Sequence, residues 1–178
     1  DGFELGQRML QGAKRFGAES KLSQVVSVDL KSNPKLVRTD SGDFQAKAVV
    51  LATGAEPRKL GLPNEEALTG QGVHYCAACD GMFYRGKTVV VVGGGNSAAA
   101  DAMTLSRIAK KVILIHRRDT LRATKIYHEP LQKAQNVEFV WNSEVSRLLH
   151  EEKLNGVMAK DVHSGAERKL ELDGLFVS

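Results

Sequence analysis

Cys76 and Cys79 are the only cysteines among 178 residues, and they stand three positions apart in Cys76-Ala77-Ala78-Cys79-Asp80. A dithiol at this spacing can close into a disulfide without moving the rest of the chain. Exchange chemistry needs one thiolate to attack and a neighbour to resolve the mixed disulfide. Asp80 sets an ionisable carboxyl beside the second sulfur, able to give or take a proton; it could equally cap a turn into Gly81. Shortly after the pair, the run Thr88–Val92 leads into Gly93-Gly94-Gly95-Asn96-Ser97-Ala98. In such a turn Gly93 permits the sharp bend, Gly95 lets the backbone approach a pyrophosphate, and Ala98 lets the next helix sit close to the strand. The helix N-terminus then offers free N–H groups and a partial positive charge to phosphates. A redox pair beside a nucleotide fingerprint implies electrons passing from a nicotinamide to a disulfide.

The end of the second strand selects the nucleotide. A site for the unphosphorylated cofactor carries an acidic group there for the ribose hydroxyls. This chain has His116-Arg117-Arg118 and then Arg122, with Arg117 falling 22 residues after Gly95. Guanidinium forks match a 2′-phosphate, so NADPH is preferred over NADH; the competing reading is a solvated basic loop. A structural zinc site needs four ligands. His74, Cys76 and Cys79 are close together but no second cysteine pair exists, so no metal is expected. His74, His128, His150 and His163 follow no pattern and read as ordinary core or surface histidines.

A hydrophobic content of 42% supports a real core. The formal charge of +4 is spread along the chain, which argues against nucleic-acid binding. No apolar stretch approaches a membrane span, and no secretory signal is visible. A C-x-x-C near a βαβ pattern reads as a redox motif of a reducing compartment, giving a cytoplasmic expectation. The start without Met and the unfinished apolar run at the end mark the chain as an expected fragment.

The elements that must position these residues follow from periodicity. Residues 3–16 have a helical pattern ended by Gly17. Leu22–Leu30 and Lys35–Thr39 read as strands, with Ser41-Gly42 as a hairpin turn. Phe44–Ala52 reads as a third strand whose apolar end suits burial on both faces. Gly54–Gly72, with two prolines and four glycines, is the candidate linker. Thr88–Val92 is a central parallel strand by type, and Asn96 or Ser97 can cap the helix after it. Lys111–Ile115 is the next strand, Arg122–Ala134 a helix interrupted by Pro130, and Val137–Trp141 a third strand. Val145–Leu149 and Val157–Val162 flank Asn155-Gly156, a turn signal. Lys169–Leu172 and Leu175–Val177 end the chain with β character. The order is that of an α/β unit carrying an antiparallel meander.

These residues resemble low-molecular-weight thioredoxin reductase of the bacterial type. Cys76-Ala77-Ala78-Cys79-Asp80-Gly81 with Phe83-Tyr84 is similar to its redox-active segment, and Gly93–Ala98 to its NADPH fingerprint. His116-Arg117-Arg118-Asp119 with Arg122-Ala123 is similar to its 2′-phosphate loop. Leu51-Ala52-Thr53-Gly54-Ala55 resembles the strand end that lines FAD, and Gly61-Leu62-Pro63 and Leu175-Phe176-Val177 also fit. The N-terminal G-x-G-x-x-G for the FAD pyrophosphate and the C-terminal Gly-Asp segment are missing. The resemblance implies a Rossmann-like NADPH-binding domain over residues 61–178, carrying the C-x-x-C. Residues 1–60 would be an interior segment of an incomplete FAD-binding domain of the pyridine nucleotide-disulfide oxidoreductase type. It further implies electron flow from NADPH through FAD to the Cys76–Cys79 disulfide and on to thioredoxin. Cys79 would face the flavin, Cys76 would attack the substrate and Asp80 would protonate a thiolate. The domain would rotate about its linkers, with Gly70 and Gly72 as flexible points, in a homodimeric full enzyme. The alternatives are a binding module that holds NADPH and a dithiol without turnover, and a related reductase or oxidase with another acceptor.

Overall fold

The computed structural model describes all 178 residues. They form two units, Asp1–Gly54 and Ala55–Ser178. In the first, helix α1 (Gly2–Arg15) starts at Asp1, whose Oδ1 accepts the Glu4 N–H at 2.8 Å. Glu4 in the first turn and Lys14 and Arg15 in the last complement the helix dipole. Strands β1 (Val25–Asp29), β2 (Lys35–Thr39) and β3 (Gly42–Ala46) make an antiparallel sheet in that order. The strand expected to run from Phe44 to Ala52 ends at Ala46. A segment buried on both faces needs hydrogen-bonded neighbours and a covering layer. Residues 48–52 pair with no strand of the chain, and Val50 and Leu51 are exposed.

The second unit is built on a parallel sheet. Its elements begin with α2 (Glu65–Leu68), β4 (Val73–His74), α3 (Ala77–Asp80) and a 3-10 turn at Gly81–Tyr84. The strand–helix repeat follows as β5 (Thr88–Val92), α4 (Asn96–Ser106), β6 (Lys111–Ile115), α5 (His128–Lys133) and β7 (Val137–Val140). Strands β8 (Ser143–His150), β9 (Leu154–Asp161) and β10 (Glu167–Glu171) form the meander before β11 (Gly174–Val177) returns. The parallel order is β4-β11-β5-β6-β7, and β8 to β10 make a separate antiparallel sheet.

Period-two alternation assigns each face of the parallel sheet its own layer. Val89, Val91, Val112 and Leu114 pack with Ala98, Ala99, Ala102 and Leu105 of α4 and Leu131 of α5. Val90, Ile113, Ile115 and Val177 point the other way, onto Val145, Leu148, Leu154 and Val157 of the meander. The run of small residues along α4 is what lets this helix lie close to the strands.

Several local expectations change. Asn155-Gly156 lies inside β9, and the hairpin turns at residues 151–153 instead. Gly156 pairs with Leu149 on one side and Glu171 on the other. A Cβ there would meet Leu170 O at 3.0 Å, so glycine serves close backbone approach at a central strand. Pro130 is the third residue of α5, in the first turn, where its missing N–H costs nothing. Gly72 is no flexible point. It is buried, its carbonyl accepts Leu175 N at 2.7 Å, and a Cβ would meet Leu154 Cβ at 2.6 Å. Leu60 and Leu62, read as linker, pack against the core of this unit. Glu65 fixes that segment: it is buried and accepts from the N–H groups of Leu60, Gly61 and Leu62 and from the Tyr75 hydroxyl.

Candidate active site

The two motifs found in the sequence belong to one rigid frame, the carboxyl ends of the parallel strands and the turns that follow them. Cys76 and Cys79 are joined in a disulfide. The short helix α3 makes this closure local. Cys76 occupies its N-cap position, and Cys76 Sγ accepts the Cys79 N–H at 3.1 Å. Cys76 is half-buried and Cys79 exposed. Beside α3, Asp101 of α4 accepts from the Ser178 hydroxyl at 2.5 Å. Burial pushes the Asp101 carboxyl above its ordinary range, against the pull of Ser178 and the Ala77 N–H.

Asp80 caps nothing: the 3-10 turn after it has no side-chain cap. Its Oδ2 lies 3.0 Å from Nδ1 of His74, and His74 Nε2 lies 2.6 Å from the Tyr84 hydroxyl. His74 is buried between Tyr84, edge-on, and Phe176, stacked at 5.3 Å. His74 is a core histidine, and its pairing with Asp80 leaves no spacing signal in the sequence because it depends on the turn that brings Asp80 back to β4. Burial, then the charges of Asp80 and Asp173, raise the Tyr84 phenol and keep it protonated.

The nucleotide fingerprint folds as its residue types require, with two additions. Gly93 has φ +145°, and a Cβ there would collide with Ser178 O and with Ala98 Cβ. Gly95 is the N-cap of α4, so neither Asn96 nor Ser97 caps it. Asn96 instead turns its Oδ1 to the Thr124 N–H at 2.8 Å. Gly94, an unspecified position in the motif, is required as well: a Cβ would penetrate the ring of His116. The Gly94 carbonyl accepts from both Arg122 N (2.7 Å) and Ala123 N (3.0 Å), locking the basic loop against the glycine turn.

A cleft of about 490 Å³ opens at this point, lined among others by Gly93, Gly94, Gly95, Arg117 and Arg122. It lies at the carboxyl ends of β5 and β6 and reaches Ser178 after β11, beside the β5/β11 boundary where strand order changes direction and open α/β sheets bind ligands. Ser97, Ala98 and His116 also line it, whereas Arg118 does not; the Arg118 carbonyl bonds Asn142 N. His116 is buried. Burial, followed by the charges of Arg122, Arg118 and Arg117, pushes its imidazole down, so it stays neutral, with Nε2 unpartnered. Arg58, Glu144 and Ser178 line the same cleft without any sequence signal having pointed to them. The open space at Gly95, the helix start and two arginines suit a phosphorylated dinucleotide. Thr53 and Gly54 belong to the first unit, exposed and outside any strand.

The family model for pyridine nucleotide-disulphide oxidoreductases matches residues 8–178. The chain belongs to the pyridine nucleotide-disulphide oxidoreductase family. Among the relatives of this family, the chain is 46% identical to thioredoxin reductase of Streptomyces clavuligerus over 99% of its length and 55% of that protein. It is 42% identical to the Bacillus subtilis thioredoxin reductase, covering 99% of this chain and 56% of that one. In structure it resembles thioredoxin reductase from Giardia duodenalis with TM-score 0.81 and 31% identity, over 100% of this chain and 59% of that chain. The Streptococcus pyogenes thioredoxin reductase gives TM-score 0.75 at 37% identity, over 99% and 58%. The chain thus spans about half the length of the curated relatives it matches.

Proposed function

We propose that these residues are the central part of an NADPH-dependent thioredoxin-disulfide reductase, a flavoprotein. The observation that carries this reading is the joining of a Cys76–Cys79 disulfide and a dinucleotide cleft with Arg117 and Arg122 in one compact unit. Residues 61–178 are then the NADPH-binding domain with the redox pair, and residues 1–60 a segment of the FAD-binding domain. In that domain the apolar run 48–52 would find its strand neighbours and Thr53 and Gly54 would line FAD. When bound, NADPH and FAD supply the two electrons that open the disulfide.

The chain's own residues have distinct duties. Gly93, Gly95 and Ala98 bring the helix start to the pyrophosphate, with Gly94, Asn96 and Ser97 shaping the turn. Arg117 and Arg122 meet the 2′-phosphate, Arg118 adds only its charge from outside the cleft, and His116 stays neutral beneath the turn. Cys79 takes the electrons, Cys76 attacks the thioredoxin disulfide and Asp80 manages the proton. No helix is long and apolar enough to cross a membrane; the reducing chemistry favours the cytoplasm, and the full enzyme would be a homodimer. The test is made on the full-length protein: a flavin absorption band that bleaches with NADPH, followed by reduction of thioredoxin disulfide. Turnover that survives Cys76→Ser or Cys79→Ser would refute the reading.

A further inference from the structure

Three side chains from three elements form an unbroken hydrogen-bonded line: Asp80 at the end of α3, His74 on β4 and Tyr84 at the end of the 3-10 turn. The middle member is buried and held between two rings. The two ends open onto different clefts. Asp80 and His74 line a cleft of about 410 Å³ with Cys76, Cys79, Tyr75 and Phe83. Tyr84 lines another, of about 370 Å³, with Lys87, Lys153 and Asp173.

We propose that His74 is a positioning residue that, with Tyr84, relays a proton between the Lys87 cleft and Asp80, and so to a thiolate of the Cys76–Cys79 pair. The inference deepens the function proposed above and rests on it. In the resting arrangement of this relay, His74 carries its proton on Nδ1, donating to Asp80 Oδ2, and accepts at Nε2 from the Tyr84 O–H. Reduction adds two electrons from a reductant, reduced flavin in the enzyme or a dithiol in the test below. The Sγ–Sγ bond breaks and two thiolates form. One is protonated by this line: Tyr84 passes its proton to Nε2 as it takes another from water, Nδ1 passes its proton to Asp80, and Asp80 passes it to sulfur. The other thiolate exchanges its proton directly with water. When the pair is reoxidised by a disulfide substrate, the proton returns along the same line and His74 regains its first tautomer. A contact at the sulfur cleft that excludes water therefore leaves the proton path open.

The charged and titratable groups around the line are few. Tyr75, next to His74 on β4, is turned to Glu65. Asp173, ahead of β11, accepts Thr88 N–H. Lys87 lies 5.4 Å above the Tyr84 ring, and Asp101 stands on α4 beside α3. Phe176 of β11 contributes packing only.

The test measures reduction of the oxidised chain by dithiothreitol between pH 5 and 9, corrected for ionisation of the reagent, in the parent, Asp80→Asn, His74→Gln and Tyr84→Phe. Tyr84→Phe keeps the ring packing and removes only the hydroxyl, which covers the case in which His74→Gln fails to fold. The expected result is that Asp80→Asn slows reduction by about 100-fold or more, the range a general acid contributes, by a factor that changes across the pH range. Tyr84→Phe and His74→Gln should change the shape of the profile in the same sense. A merely structural role would scale the rate equally at every pH. If Asp80→Asn alters the profile while Tyr84→Phe and any folded His74→Gln superimpose on the parent, the relay is wrong and the proposed function stands. If Asp80→Asn also leaves the profile unchanged, the proton role of Asp80 falls and the relay with it.

Discussion

Replacing Gly94 by alanine tests the packing that holds the nucleotide turn. The added methyl would occupy space held by the His116 ring, close to three of its atoms. That ring cannot swing freely: His116 is buried, and its backbone is tied to Val140 O and Ser143 N. Relief must come from moving the glycine turn, and overpacking of this kind costs about 1–3 kcal/mol. For a chain of this size the cost corresponds to a fall of about 2–12 °C in Tm. Trp141 lies in the same unit, 6.5 Å from His116 between ring centroids, so its fluorescence follows the unfolding of this unit. Because the Gly94 carbonyl also holds Arg122 and Ala123, NADPH binding should weaken in step. The decisive control is a double-mutant cycle with His116→Ala. With the ring removed, the methyl has room and its cost should vanish, leaving a coupling energy of about 1–3 kcal/mol. A Gly94→Ala protein that melts within a degree of the parent, or a double mutant with no rescue, would refute the steric reasoning.

Two further outcomes are expected. Arg117→Ala with Arg122→Ala should cost NADPH about tenfold or more in affinity per arginine, each charge-assisted bond being worth about 1.5–3 kcal/mol. NADH binding should stay unchanged in calorimetric titration and Arg118→Ala should do far less, since Arg118 lies outside the cleft; equal losses for both nucleotides would contradict the 2′-phosphate assignment. For Glu65, burial pushes the carboxyl up, but the bonds from Leu60, Tyr75, Gly61 and Leu62 outweigh it and hold the group below its ordinary 4.5. A depressed carboxylate stabilises the fold above its unfolded value and loses that contribution as the pH falls through its folded one. Glu65→Gln should therefore flatten the loss of stability seen in denaturant titrations below about pH 4.5; an unchanged acid limb would show that Glu65 is not its source.

The sequence by itself determined the chemistry-bearing motifs and the parallel frame. A β-branched run followed by Gly93-x-Gly95-x-x-Ala98 has few other foldings, because its glycines answer local requirements of φ and close approach. Arg117 and Arg122 were legible for the same reason, since strand length fixes where the loop after β6 arrives. Two cysteines three apart likewise close on one turn of chain. Segments whose state depends on distant partners were not legible. Residues 48–52 look like a buried strand by composition, yet a strand exists only where a neighbour bonds it. Asn155-Gly156 looks like a hairpin turn, but the shared centre of three strands claimed its glycine. Gly94 became obligatory only because β6 delivers His116 beneath it. His74 gained Asp80 and Tyr84 as partners only because two consecutive turns fold back over β4. Local rules act through covalent geometry and are written in spacing; burial and hydrogen-bond partnership are pairings between residues far apart in the chain, and only the tertiary structure decides them.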